Sequence, residues 1–360
     1  MRTCIVHIGT HKTGTTSLQL FFQENFHEFA RAGMHVAQAG RYLMRDASGA
    51  TAATPGHHDL AWDLVADGEN VLRAVLDELR AVPSRSALLS SEDFSLLYAR
   101  PAMLEILRDR MLAAGFGVKI VVYLRAQAAY AESMYVERLK HAHVRPLAVY
   151  LDRILEEGRY LPPGTRQDIA FEYGRLLEPF VRVFGAENVA VRAYAPQNTT
   201  EIFADFLTVL QHFDPELAAA QPKLKVAHPR QNESLSFAGV LATLHAEAQR
   251  SSLAGAAEFI RSRAEELSAA IAGSRFALLS RDEHLALLHR FGDDNRRIAQ
   301  AFGAAIPFRT EADVAPASDP RWEKAAAERA VLDRCVAWWN DPASGPLDGI
   351  TNDLSGRESK

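Results

Sequence analysis

His7-Ile8-Gly9-Thr10-His11-Lys12-Thr13-Gly14-Thr15-Thr16-Ser17-Leu18 is the stretch whose reading decides the fold. It ends a short β-rich run, Thr3 to Ile8, and opens a helix-like segment from Thr15 to Ala32. A strand, a glycine-bearing loop and a helix in that order aim backbone N–H groups and the positive helix end at an anion. The hydroxyls of Thr13, Thr15, Thr16 and Ser17 add donors. Gly9 and Gly14 have the spacing of the nucleotide pattern G-x-x-x-x-G-K-[ST]. That pattern requires lysine directly after the second glycine, and Thr15 stands there. The lysine stands at Lys12, two places before Gly14. A nucleoside triphosphate with Mg²⁺ relies on the missing lysine, so a plain NTPase is disfavoured. The competing reading is an ordinary Gly/Thr turn ahead of a helix.

Further along, Met34 to Ala37 and Ala87 to Ser90 read as strands, and so does Asn188 to Ala193. Gly117 to Leu124 is the clearest: Val118, Ile120, Val121, Val122, Tyr123 and Leu124 form a near-continuous apolar run, as a strand buried on both faces requires. Apolar spacing predicts helices over Trp62 to Val82, Met103 to Ala114, Ala128 to Lys140 and Tyr173 to Val183. Residues 40 to 58, rich in Ala, Gly, Thr and Ser, read as a loop or lid. Alternating strands and helices predict a three-layer α/β fold with a parallel sheet of the P-loop-NTPase-like kind. Beyond residue 225 the pattern turns helical: Leu235 to Gln249, Ala257 to Ala272 and Glu283 to Phe302. The expected organisation is a core over 1–225, a helical part over 226–342 packed on it, and a flexible tail over 343–360.

The chain has 360 residues, of which 48% are hydrophobic, enough for a sizeable core. A net charge of -5 lacks the global positive field of a general nucleic-acid binder, so no nucleic-acid partner is expected. Cys4 and Cys335 make neither a metal spacing nor a disulfide framework, so no metal site is expected. No apolar run reaches the ~18 residues of a transmembrane span, and the first strand begins at once. The expectation is a cytoplasmic protein, with peripheral membrane contact left open.

A second motif follows the strongest strand: Val121-Val122-Tyr123-Leu124-Arg125-Ala126-Gln127-Ala128-Ala129-Tyr130-Ala131-Glu132-Ser133. Alone, Arg125 reads as a solvated charge at a strand end. Together with the first loop it changes meaning. The run Lys12-Thr13-Gly14-Thr15-Thr16-Ser17-Leu18 resembles the 5′-phosphosulfate loop of sulfotransferases that use 3′-phosphoadenosine 5′-phosphosulfate (PAPS). In that family an Arg at such a strand end and a Ser eight residues later hold the 3′-phosphate, as Arg125 and Ser133 would. The resemblance spans residues 3 to 235 and implies PAPS as donor, with adenosine 3′,5′-bisphosphate (PAP) as product. It assigns Lys12 to the leaving oxygen and Lys12, Thr13, Gly14, Thr15, Thr16, Ser17, Arg125 and Ser133 to the donor. No metal is implied. The acceptor would be a hydroxyl, by family analogy that of a carbohydrate or glycolipid.

In-line transfer also needs a base for that hydroxyl. Glu92, just past the Ala87–Ser90 strand, sits where ligands gather in open α/β sheets, although Ser91-Glu92-Asp93 could equally cap the next turn. His57 and His58, in Pro55-Gly56-His57-His58-Asp59, are the rival bases and candidate acceptor contacts. His11 flanks the loop, and His7 reads as packed in its strand. Arg230-Gln231-Asn232-Glu233-Ser234-Leu235-Ser236 looks like a capped helix start that also matches the family. Asp294-Asn295-Arg296-Arg297 reads as a solvated helical face. Two other functions fit the fold: an ATP–Mg²⁺ kinase, and a nucleotide-binding protein without turnover.

Overall fold

The computed structural model describes residues 1–45, 51–139, 145–162, 164–194, 199–220, 223–225, 277–303 and 310–340. The helices expected over 235–249 and 257–272, and the segment at Arg230, lie outside those residues. The described residues belong to two compact units. One gathers those within Met1–Gln127, Gly158–Glu233 and Phe291–Phe308, and the other those within Ala128–Glu157, Ser234–Arg290 and Arg309–Lys360.

The first unit is an α/β domain. Its chain runs β1 (Arg2–His7), α1 (Thr15–Glu24), α2 (Phe26–Arg31), β2 (Met34–Val36), β3 (Leu43–Arg45), β4 (Thr51–Ala53), α3 (His58–Val65), α4 (Asn70–Ala81) and β5 (Ser86–Ser90). A 3-10 helix (Glu92–Ala99), α5 (Pro101–Ala113) and β6 (Phe116–Leu124) follow, and α6 (Gln127–Leu139) begins here. After α7 (Leu147–Glu157) come β7 (Arg159–Tyr160), β8 (Ile169–Ala170), α8 (Tyr173–Phe184), β9 (Val189–Ala193), α9 (Thr199–Phe213) and α10 (Pro215–Ala220).

The five expected strands form one sheet in the order β2-β5-β1-β6-β9, and every neighbouring pair is parallel. β1 lies in the middle, with Ile5 opposite Leu88 of β5 and Lys119 of β6. Parallel strands end at the same edge. The loop after β1 is therefore flanked by the residues that follow β5 and β6, which is where an open α/β sheet builds its site.

Helices hold the sheet from both sides. Leu18, Phe21 and Phe22 of α1, Phe29 of α2 and Phe203, Phe206 and Leu210 of α9 bury against Ile5, Leu88, Val121 and Tyr123. Alternation along a strand points Ile120 and Val122 of β6 the other way, where α5 and α8 pack. Truncating a fully buried ring such as Phe206 would cost on the order of 3–5 kcal/mol.

Three local expectations are corrected. The helix read over 15–32 breaks at Asn25, whose amide donates to the Phe21 carbonyl at 2.9 Å and whose Oδ1 accepts the Lys225 N–H at 2.7 Å. The helix read over 62–82 is two helices. Asp67 takes φ 63° between them, and the Asp63 carboxylate accepts the Val71 N–H at 2.9 Å to start α4. The stretch read as a loop over 40–58 contains the antiparallel hairpin β3–β4 and the first residue of α3.

The second unit is helical among the described residues. It contains α6 from Ala128, α7, the start of α11 (Arg281–Phe302) and α12 (Arg321–Asn340). The Tyr150 hydroxyl donates to the Ala131 carbonyl at 3.1 Å, and the Arg290 guanidinium donates to the Leu155 carbonyl at 2.8 Å. No helix among the described residues is long and apolar enough to cross a membrane.

Candidate active site

The loop between β1 and α1 is wound by three residues in left-handed backbone: Gly9 at φ 46°, Lys12 at φ 63° and Gly14 at φ 78°. Lysine rarely adopts that region, and doing so costs about 1–2 kcal/mol. The fold holds it there from several sides. The Thr10 hydroxyl donates to the Tyr123 carbonyl at 3.0 Å, and the Thr13 hydroxyl donates to the Thr10 carbonyl at 2.5 Å. Gly14 precedes the first turn of α1, and the Leu18 N–H closes on its carbonyl at 3.1 Å. A Cβ at Gly14 would stand 3.0 Å from Ile202 and 3.2 Å from the Tyr194 ring, so the position has neither the backbone nor the room for a side chain. Thr15 sits where the nucleotide pattern requires lysine. Its hydroxyl is buried and makes no hydrogen bond among the described residues. Thr16 and Ser17 are half-buried on the same turn.

The edge beyond β5 supplies the other half. Glu92 lies directly against the loop: a Cβ at Gly9 would be 3.5 Å from its Cβ. Its Oε2 accepts from the Gln19 amide at 3.0 Å, and Gln19 stands on α1. Ser91, rather than Glu92 or Asp93, is the cap of the 3-10 helix, its hydroxyl accepting the Asp93 N–H at 3.2 Å. Asp93 is buried and takes three donors: His11 Nε2 at 3.1 Å, His58 Nδ1 at 3.0 Å and Trp62 Nε1 at 2.8 Å. Burial alone would raise its carboxyl, but the hydrogen bonds from His11 and His58 outweigh it and hold Asp93 well below the usual carboxylate range. For His58 burial disfavours the cation. The bond to Asp93 and the charges of Glu92, Asp93 and Asp59 prevail and raise its pKa.

His57 and His58 therefore part company. His58 opens α3 toward Glu92 and Asp93. His57 is 1% exposed; its Nδ1 accepts the Ser90 N–H at 3.0 Å and its Nε2 donates to the Ala37 carbonyl at 2.9 Å. Both ring nitrogens are thus engaged by backbone, and burial lowers its pKa to about 4. His7 is fully buried as expected, its Nδ1 2.8 Å from the Ser90 hydroxyl, and burial lowers its pKa to about 3.

Arg125 follows β6 and reaches back to the loop, donating from Nη1 to the Lys12 carbonyl at 2.9 Å. Its guanidinium carbon stands 5.7 Å from the Tyr194 ring, just past β9. Its own carbonyl accepts the Tyr173 hydroxyl at 2.6 Å. Ser133, its proposed companion, is half-buried on α6 in the second unit. The segment Asp294-Asn295-Arg296-Arg297 is a corrected reading. Asp294 and Asn295 are buried, and only the arginines face solvent. The Asn295 and Gln127 amides each donate to the other, at 3.0 and 2.9 Å, and Asp294 accepts the Gly174 N–H at 2.8 Å.

The structure thus brings Lys12, Thr13, Gly14, Thr15, Arg125, Glu92 and His58 to one sheet edge. Sequence reasoning passed over Gln19, Trp62 and Tyr194 and gave Asp93 only a capping role. Gln19 and Trp62 had one usable signal: each lies on the first turns of a helix that leaves the site. Among the described residues no group of three or more His, Cys, Asp or Glu is arranged to hold a metal ion.

No protein family in the comparison matches the chain. No curated relative matches it either. Among solved structures, a sulfotransferase from Alicyclobacillus acidocaldarius aligns over 76% of this chain and 98% of its own, at 16% identity and a TM-score of 0.38. A structure of the PezAT chromosomal toxin–antitoxin system of Streptococcus pneumoniae aligns over 62% and 88%, at 12% identity and a TM-score of 0.27. At such values neither bears on chemistry.

Proposed function

We propose that the protein is a sulfotransferase that moves the sulfuryl group of PAPS to a hydroxyl, with a carbohydrate or glycolipid as the acceptor class. The observation that carries the reading is the pairing of Lys12 with Arg125. A strand–loop–helix anion cradle has its lysine before Gly14, and a second cation docks on that lysine's carbonyl at 2.9 Å. A nucleotide with phosphate groups at both 5′ and 3′ positions needs two such cations. The buried Thr15 hydroxyl, unpartnered among the described residues, fits an anionic ligand at the same turn.

PAPS supplies a sulfuryl group on a phosphate leaving group. The chain supplies the rest. Lys12 and the loop N–H groups neutralise charge on the leaving oxygen, with Thr13, Gly14, Thr15, Thr16 and Ser17 shaping the cradle. Arg125 takes the 3′-phosphate, the role in which the family resemblance also names Ser133. Glu92 and His58 stand on the acceptor side as the proton-accepting groups. His57 serves the packing behind them and leaves the acceptor to His58.

Calorimetric titration with PAP and with ATP–Mg²⁺ tests the reading. PAP should bind and ATP–Mg²⁺ should bind far more weakly. Tight ATP–Mg²⁺ binding with no PAP binding would replace it with a kinase. PAP binding without any release of PAP from PAPS would leave a nucleotide-binding protein.

A further inference from the structure

The Asp93 carboxylate is a junction. One oxygen meets His11, which belongs to the donor loop. The other meets His58 and Trp62, which belong to α3. His11 and Asp93 are 82 residues apart in sequence, and His58 and Asp93 are 35 apart. Neighbouring β1 and β5 bring His11 to Asp93, and α3, anchored by the His57 N–H to the Ser90 carbonyl at 2.8 Å, brings His58. All three donors bond to the carboxylate, so the cluster is built around a fixed negative charge.

His58 meets Asp93 and the Ser91 hydroxyl only through Nδ1, at 3.0 and 3.1 Å. Its Nε2 makes no hydrogen bond among the described residues, and it lies near Gln19: a Cβ at Gly56 would stand 2.7 Å from both His58 Nε2 and the Gln19 amide. The charged and titratable groups facing this ring are Asp93 and Glu92 from the 3-10 helix and Asp59 from its own helix. His11 shares the Asp93 carboxylate with it. An ionised carboxylate accepts only, so His58 must present N–H at Nδ1 and a lone pair at Nε2 when neutral.

We infer that Asp93 is the positioning residue of the acceptor side: it fixes His58 with Nδ1 protonated and Nε2 open as proton acceptor, and through His11 it joins that geometry to the donor loop. The inference rests on the sulfuryl-transfer reading and deepens it by choosing His58 over Glu92 as base. His58 Nε2 takes the acceptor O–H proton while the acceptor oxygen bonds to sulfur. The S–O bond to the 5′-phosphate breaks, its oxygen keeps the electron pair beside Lys12, and the proton passes from His58 to solvent after product leaves. Glu92, held by Gln19, adds negative charge beside the resulting imidazolium.

Nitrogen-15 imidazole NMR on the full chain tests this, with His58→Gln identifying the His58 signals. In the wild type, neutral His58 should be the Nδ1–H tautomer. In Asp93→Asn that preference should be lost, and the His58 titration should move to lower pH. Release of PAP from PAPS should fall by about 10²-fold, the acid limb of the pH–rate profile should move to lower pH, and the dissociation constant of PAP should stay within about twofold. A wild-type His58 in the Nε2–H form would overturn the inference, and that measurement holds even where Asp93→Asn fails to accumulate. An Asp93→Asn protein with unchanged tautomer and pH–rate profile would overturn it too. A chain that neither binds PAP nor releases it from PAPS would sink the sulfuryl-transfer reading instead, and the His58 tautomer would still report on Asp93.

Discussion

His57→Gln tests whether the buried histidine behind the site has to be neutral. In the folded chain burial is the main cause that lowers its pKa to about 4, assisted by the charge of Arg41 and opposed by its backbone bonds to Ser90 and Ala37 and by Glu78. Unfolded, it returns to about 6.5. Between those values the unfolded chain binds more protons, so stability falls on acidification. The contribution is complete above about pH 6.5 and is lost as pH falls toward 4. Integrating from pH 7 to pH 5 gives a loss of about 2 kcal/mol, roughly 30-fold in the ratio of folded to unfolded chain. His7 adds a loss in the same window, since burial lowers it to about 3. His58 acts oppositely, because its pKa is raised and its contribution grows as pH falls. Both cancel in a comparison of wild type with His57→Gln. Glutamine can still accept from Ser90 and donate to Ala37, so the cost at pH 7 should be about 1–2 kcal/mol. Urea unfolding followed by circular dichroism at pH 7 and pH 5 should show the wild type losing about 2 kcal/mol more than the variant. Parallel losses would refute the reasoning. So would a variant of normal stability that cannot turn over PAPS, since that ring would then be touching the acceptor.

Lys12→Ala should lower PAP release from PAPS by on the order of 10²–10³-fold, as loss of a charge-neutralising donor does, and normal turnover would remove Lys12 from the leaving-oxygen role. Arg125→Ala should weaken PAP binding about 10- to 100-fold and 5′-AMP binding much less, read by calorimetry. Equal losses for the two ligands would withdraw the 3′-phosphate assignment. Gly14→Ala forces a side chain into φ 78° against Ile202 and Tyr194, so PAP binding should be lost and thermal stability should drop. An unchanged calorimetric titration would show that the turn is not the cradle. Glu92→Gln keeps the bond from Gln19 but removes charge near His58, so turnover should fall less than in His58→Gln, and the reverse order would make Glu92 the base.

The sheet was legible because its signal is local and dense. β6 is a continuous apolar run, and β1 announces itself by the glycines that follow it. Among the core helices, α1, α4, α5 and α8 were legible, whereas α9, which brings Phe203, Phe206 and Leu210 to the core, was not read. Asn25 breaks a helix by bonding to Phe21 and Lys225, and no periodicity registers a partner 200 residues away. The same limit explains the site. Lys12 and Gly14 are close in sequence, so the glycine loop after β1 could be read directly. The Asp93 cluster could not, because His11 and His58 meet that carboxylate only after β5 has paired with β1 and α3 has packed on the 3-10 helix. Two adjacent histidines illustrate the point most sharply. His57 and His58 have the same local context, yet His57 turns inward to bond Ala37 and Ser90, while His58 starts a helix that faces Asp93. Which of the two meets Asp93 is set by the backbone direction at the start of α3.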